Sequence, residues 1–292
     1  MRYYCEDTLE TSDGARLWYA LMGEGSPAIA LCDGLGCDGV YWRHLLPQLC
    51  ERHRVVHFQY RGHGRSGLPE DPKRVGVGFA ADDLDAVLAA TGIDRAVVLG
   101  HSMGVQVLFE FHRRHPERVL GLVPICGAYG NALDTVHDDT NIKLVFPLVH
   151  KLAGAMPKVA HAFTRAVLPT ELSLQYALTF EVNRALAPRE DMQAYFEHLA
   201  RMDPMVFLDT LKSAAEHTAW DHLSKIDVPT LIVAGDHDRF TPLWLSQRMH
   251  RAIPGSELLV VRSGTHTAPI EHPELIALRI RRFLKERIPS AA

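Results

Sequence analysis

The feature that most constrains this chain is one turn. Ala96-Val97-Val98-Leu99 is a short apolar run rich in β-branched residues, and Gly100-His101-Ser102-Met103-Gly104 follows it as Gly-x-Ser-x-Gly. Met103 to His115 then carries helical spacing until Pro116 stops it. A serine hydroxyl is a weak nucleophile, and a sharp strand-to-helix turn pushes its oxygen clear of the sheet. Such a turn brings neighbouring segments too close for side chains, which is the work expected of Gly100 and Gly104. The helix that follows aims its first amides, including that of Met103, at developing negative charge.

A serine needs a base, and the base needs an acid that orients it. The rest of the chain shows where these can lie. Thr8 to Leu21 alternates around Asp13-Gly14 as a hairpin. Short apolar runs at 28–32, 54–58, 118–125, 230–234 and 257–261 predict strands, with helices between them at 41–50, 79–90, 103–115, 242–252 and 273–287. Strands alternating with helices predict a mostly parallel sheet covered on both faces, with the hairpin as an antiparallel edge. From 128 to about 223 the pattern changes to long helical segments, Asn141 to Leu152, Val159 to Val167, Leu172 to Leu186, Asp191 to Met202 and Met205 to His217, broken by prolines, with no convincing strand. That stretch is expected to be a helical insertion. In open α/β sheets catalytic groups sit beyond the carboxyl ends of strands. Two loops there carry candidates: Asp236, His237 and Asp238 after the strand at 230–234, and His266 and His272 after the strand at 257–261.

Composition narrows the class further. The chain has 292 residues, 47% hydrophobic and 23% charged, enough for one large domain with an insertion. The net charge of −4, with no basic block, points to neither nucleic acid nor an anionic membrane surface. No apolar run is long enough to span a bilayer, and Met1 to Glu10 lacks the apolar core of a signal peptide. Five cysteines without framework spacing read as reduced thiols of a cytosolic protein. His112 and His115 are the one close helical pair to consider for a metal. With Arg113 and Arg114 between them they read as a solvated basic helix end. No metal and no cofactor are expected, the partner is a small-molecule substrate, and a homo-oligomer stays open.

Taken together these motifs resemble the α/β-hydrolase fold. Members typically carry Gly-x-Ser-x-Gly at the nucleophile, Gly-x-x-Asp-x-x-x-Pro at the acid and Gly-x-His at the base. Here those patterns fall on Ser102, on Gly235 to Asp238 with Pro242, and on Gly264-Thr265-His266, in that chain order. The resemblance therefore selects Asp238 over Asp236 and His266 over His237 and His272. It implies a core formed by 1–127 and 224–292, and a cap domain at 128–223. By the same resemblance the oxyanion hole combines the backbone N–H groups of Met103 and Leu35. His101 resembles the frequent histidine beside the nucleophile, expected to pack or hydrogen-bond behind the site. Arg61-Gly62-His63-Gly64-Arg65-Ser66 is also frequent in the family and reads as a glycine-shaped turn pinned by arginine.

One position departs from the pattern. Many members have His-Gly before the Leu35 donor, and this chain has Asp33-Gly34. A carboxylate facing an oxyanion would oppose catalysis, so Asp33 is expected to point away and accept from loop amides or a cation. The alternative is that Asp33 faces the pocket as a substrate contact. The expected activity is hydrolysis of a small, moderately apolar carboxylic ester or lactone through an acyl-enzyme. Carbon–carbon bond hydrolysis, peracid formation and acyl transfer use the same triad and stay open, as does a ligand receptor of this fold. Relatives that open epoxides or remove halogens carry an aspartate where this chain has Ser102.

Overall fold

A computed structural model describes residues 5–131, 133, 141–180 and 182–288. Eight strands form one sheet in the order β1-β2-β4-β3-β5-β6-β7-β8. They are β1 (Cys5–Glu10), β2 (Arg16–Met22), β3 (Ala28–Cys32), β4 (Val55–Phe58), β5 (Ala96–His101), β6 (Val119–Ile125), β7 (Leu231–Gly235) and β8 (Glu257–Val261). The first two pair antiparallel and β2 meets β4 antiparallel, while β3 to β8 pair parallel. The edge hairpin turns at Gly14, whose φ of 77° suits glycine. The expected architecture, an α/β-hydrolase fold, is the one observed.

Central parallel strands are apolar at every position because both faces are covered. On β5, Ala96 and Val98 pack with Val105, Leu108 and Phe109 on one side, while Val97 and Leu99 join Trp42, Leu45 and Phe283 on the other. The first face is covered by α2 (Val77–Ala90), α3 (Gly104–Arg114) and α9 (Leu243–Ala252). The second is covered by α1 (Leu46–Leu49) and α11 (Pro273–Arg287), and α10 (Ala268–Glu271) precedes α11 directly. Each fully buried aliphatic or aromatic side chain in these layers contributes roughly 1.5–3 kcal/mol of transfer energy. Among the described residues five α-helices lie between β6 and β7: α4 (Asn141–Ala155), α5 (Pro157–Val167), α6 (Glu171–Phe180), α7 (Arg189–Arg201) and α8 (Pro204–Glu216). Among the described residues none of the helices is long and apolar enough to cross a membrane.

Three sequence expectations are corrected. The helix expected at 41–50 is a 3₁₀ turn, Val40–Trp42, followed by the four-residue α1. Pro47 sits in the first turn of α1, where its missing N–H bars a continuous helix. The helix expected to run from Leu172 to Leu186 stops at Phe180, and by Asn183 the backbone N–H is turned to the Glu271 carboxylate at 2.7 Å. His112 is buried rather than solvated, with Nδ1 2.9 Å from Nε2 of His222. The arginine-pinned turn is present. Arg61 makes a bidentate pair with Asp83 at 2.8 and 2.7 Å, reaches Asp13 at 2.7 Å, and lies over the Phe79 ring.

The tightest backbone crossing is at the elbow. A Cβ on Gly100 would lie 2.3 Å from the Gly104 carbonyl oxygen, and one on Gly104 would lie 2.2 Å from the Cys32 carbonyl oxygen. Neither neighbour is a flexible side chain. Gly104→Ala is expected to lower stability by at least about 2 kcal/mol through forced separation of α3 from β3, read as a shift of the urea midpoint at constant m-value.

Candidate active site

The end of β5 sets Ser102 in an unusual conformation. Its φ is 55°, a left-handed angle rare outside glycine, and its N–H is tied to the Ile125 carbonyl at 3.1 Å. Ser102 Oγ lies 2.9 Å from Nε2 of His266, and Nδ1 of the same ring lies 3.0 Å from Oδ2 of Asp238. A buried carboxylate only accepts, so Nδ1 carries the proton and Nε2 presents its lone pair to the serine hydroxyl. Three residues distant in sequence therefore form one hydrogen-bonded line.

Asp238 is held from its other side too. Its Oδ1 accepts from the N–H groups of Phe240 and Thr241 at 2.9 and 2.8 Å, and Oδ2 accepts from the Thr241 hydroxyl at 2.7 Å. Burial alone would raise its pKa. Its attraction to the His266 ring once that ring is protonated, together with the hydrogen bonds from His266 and Thr241, outweighs burial and holds the carboxyl below its ordinary value. Asp236 and His237 are exposed, on the outer side of the same turn.

The His266 loop rests on a carboxylate that sequence reasoning left without a role. Glu271 is buried and accepts from the Thr265 N–H at 2.8 Å and from the hydroxyls of Thr265 and Thr267 at 2.6 and 2.7 Å. It also takes the Asn183 N–H, joining the loop after β8 to the segment after α6. The available signal was the run Thr265-His266-Thr267 with Glu271 one helical turn beyond Thr267. His101 stacks on Tyr41 with ring centroids 4.2 Å apart, and its Nε2 is 2.9 Å from the His266 carbonyl oxygen. Burial pushes His101 down to about 3, so the ring is neutral.

Asp33 points away from the cavity, as expected: it is 1% exposed, lies behind the loop after β3 and is not among the residues that line the cavity, which corrects the alternative role of substrate contact. Among the described residues its side-chain partners are rings rather than loop amides. Trp42 Nε1 donates to Oδ1 at 2.7 Å and His57 Nε2 lies 2.9 Å from Oδ2, while the Asp33 carbonyl accepts from the Tyr60 hydroxyl at 2.9 Å. Two large rings from separate elements thus grip the loop through one side chain. Gly34, the next residue, presses on the elbow: a Cβ there would be 3.2 Å from both Ser102 Cβ and His101 Nδ1. Leu35 and Met103, the two expected oxyanion donors, both line the cavity next to Ser102.

That cavity has a volume of about 610 Å³. Its walls come from the loop after β3, from α6, α7 and α8, and from Phe240, and they are largely apolar, with Tyr195, Phe196, Leu199 and Phe207 contributed by the helices. Among the described residues no group of three or more His, Cys, Asp or Glu side chains is placed to hold a metal ion. The five cysteines are free thiols, and burial pushes those of Cys37 and Cys126 well above the ordinary range, which keeps them protonated.

The chain belongs to the alpha/beta hydrolase fold family, whose model matches residues 27–273. It is 26% identical over 268 residues to a protein of Agrobacterium fabrum named for carbamate hydrolysis (RutD), covering 89% of this chain and 93% of that one. Among solved structures it resembles a thermophilic esterase from Thermogutta terrifontis, with a TM-score of 0.78 and 22% identity over 97% of this chain and 98% of that one. It also resembles Est816, described as an N-acyl homoserine lactone degrading enzyme, with a TM-score of 0.73 and 26% identity over 95% of this chain and all of that one.

Two tests follow from the buried groups. Asp33→Ala leaves the Trp42 and His57 donors without partners, an expected loss of about 1–3 kcal/mol for each, measured by urea unfolding. His63 and His101 are neutral in the folded protein, burial holding them down to about 4 and about 3. In the unfolded chain each protonates near pH 6.5, so between those limits the unfolded state binds more protons and stability must fall as pH drops below about 6.5. His63→Gln is expected to flatten that decline by up to about 1.4 kcal/mol per pH unit between pH 6.5 and 5, seen by comparing denaturation midpoints of variant and wild type.

Proposed function

We propose that the protein is a serine hydrolase of moderately apolar carboxylic esters or lactones, working through an acyl-enzyme with Ser102, His266 and Asp238 as its triad. The observation that carries this reading is the unbroken hydrogen-bonded line from the Ser102 hydroxyl through His266 to Asp238 at the wall of an apolar cavity. Ser102 Oγ attacks the carbonyl carbon while His266 Nε2 takes its proton. The imidazolium is steadied by Asp238, which stays ionised. The N–H groups of Leu35 and Met103 receive the oxyanion, and collapse expels the alkoxide as His266 returns the proton. Water then repeats the sequence on the acyl-enzyme, with His266 again as base, and releases the acid. In a lactone the leaving alkoxide stays tethered to the acyl group, so one product, a hydroxy acid, departs.

Residues 128–223 serve in this reading as a cap that supplies most of the cavity wall and thereby selects the substrate. An apolar space of about 610 Å³ favours an acyl or alkyl chain over a small polar carbamate, which would leave most of it empty. The likeness to Est816, described as degrading N-acyl homoserine lactones, supports the same class. The likeness to RutD makes carbamate cleavage the second reading, since the same triad can attack a carbonyl bonded to nitrogen.

A panel of p-nitrophenyl esters, N-acyl lactones and carbamates tests the choice: medium-chain esters or lactones are expected to give the highest kcat/KM, and a preference for carbamates would replace the first reading with the second. Ser102→Ala and His266→Ala are each expected to lower kcat by about 10⁴-fold or more in folded protein. Asp238→Asn should be nearly as damaging and Asp236→Asn mild. Reversed aspartate effects, or a fluorophosphonate probe that fails to label Ser102, would refute the assignment.

A further inference from the structure

The helices after β6 turn apolar stripes toward solvent. On α4, Leu144, Val145, Leu148 and Leu152 recur at helical spacing and are 77%, 53%, 58% and 47% exposed. On α5, Val159 and Phe163 are 59% and 64% exposed. The polar contacts of these helices lie on the other side. His150 reaches Asp209 of α8 at 2.6 Å, and His161 lies 3.4 Å from Asp203 at the start of α8. Helices of a soluble monomer normally bury such stripes, and a large apolar face left outward marks a surface with a partner.

Charge says which partner. From 141 to 167 the sequence contains Lys143, Lys151, Lys158 and Arg165 and no aspartate or glutamate, so the whole-chain charge of −4, which argued against an anionic membrane surface, does not describe this segment. Lys151, Lys158 and Arg165 are exposed and form no ion pair among the described residues. A second copy docked by two-fold symmetry would set these cations against their own copies, with no carboxylate on α4 or α5 to answer them. An anionic lipid surface meets both demands at once: acyl chains take the stripes and headgroup phosphates take the cations. The face is also continuous with the cavity. Ile142 in the first turn of α4 and Tyr176 of α6 line it, Tyr176 is itself 57% exposed, and Leu172, one turn before Tyr176, is 81% exposed.

We propose that the outward face of α4 and α5 docks on an anionic phospholipid membrane and holds the cavity mouth at the interface, where amphiphilic substrates concentrate. The second clause rests on the proposed hydrolysis, and the docking does not. Flotation of the full chain with vesicles tests it: binding is expected to phosphatidylcholine vesicles containing phosphatidylglycerol, to weaken on phosphatidylcholine alone, and to fall with added salt. Replacing Lys151, Lys158 and Arg165 together by glutamine is expected to weaken binding by roughly 100-fold. Leu148→Ser with Phe163→Ser should weaken it as well, and both variants should keep the wild-type rate on soluble p-nitrophenyl acetate. Ser102→Ala protein should bind vesicles as wild type does, so loss of the chemistry and loss of docking are read separately. No binding to the anionic vesicles, equal binding to neutral ones, or a solution dimer that Leu148→Glu dissociates would overturn the proposal.

Discussion

Everything at the site depends on how closely three backbones approach at the elbow. The Gly104 carbonyl crowds Gly100 and the Cys32 carbonyl crowds Gly104, so β5, α3 and the end of β3 meet at distances that leave no room for a methyl group. The approach forces Ser102 to a φ of 55° and brings the loop after β3 against its Cβ. Strain of this kind persists only where the surroundings over-determine it. Here the surroundings are a central strand with apolar layers on both faces, anchored further by the Ser102 N–H on the neighbouring strand.

Around that crossing the molecule spends three buried carboxylates in three different ways. Asp238 accepts from a turn and from His266, which keeps it ionised beside the imidazole. Glu271 accepts from the backbone and hydroxyls that flank His266, which fixes the loop without touching the ring nitrogens. Asp33 holds Trp42 and His57 behind the loop that carries Leu35. Each is satisfied by specific donors, as a buried charge must be. In the proposed mechanism the first orients the base, the second its loop and the third the oxyanion loop.

Much of this was legible in the chain. The alternation of strands and helices announced the sheet because period and punctuation are local properties. The glycines at 100 and 104 and the motifs around Asp238 and His266 named the residues that the structure brings within hydrogen-bonding distance. What misled was also local. Tyr41 to Cys50 had helical spacing, but Pro47 divides it, and the spacing of Leu172 to Leu186 hid a turn stabilised from outside by Glu271. His112 reads as a surface residue beside Arg113 and Arg114 and is buried against His222, more than a hundred residues away.

The sequence by itself determined the parallel sheet, the strained serine turn and the residue types offered to it, because those follow from periodicity, from glycine's lack of a Cβ and from short motifs. Tertiary structure alone decided that Trp42 and His57 hold Asp33, that Glu271 supports the His266 loop, and that the apolar stripes of α4 and α5 face outward with the basic residues. Apolar spacing along a helix says that one face differs from the other. Which face meets the protein and which meets solvent is fixed only when the other helices have taken their places.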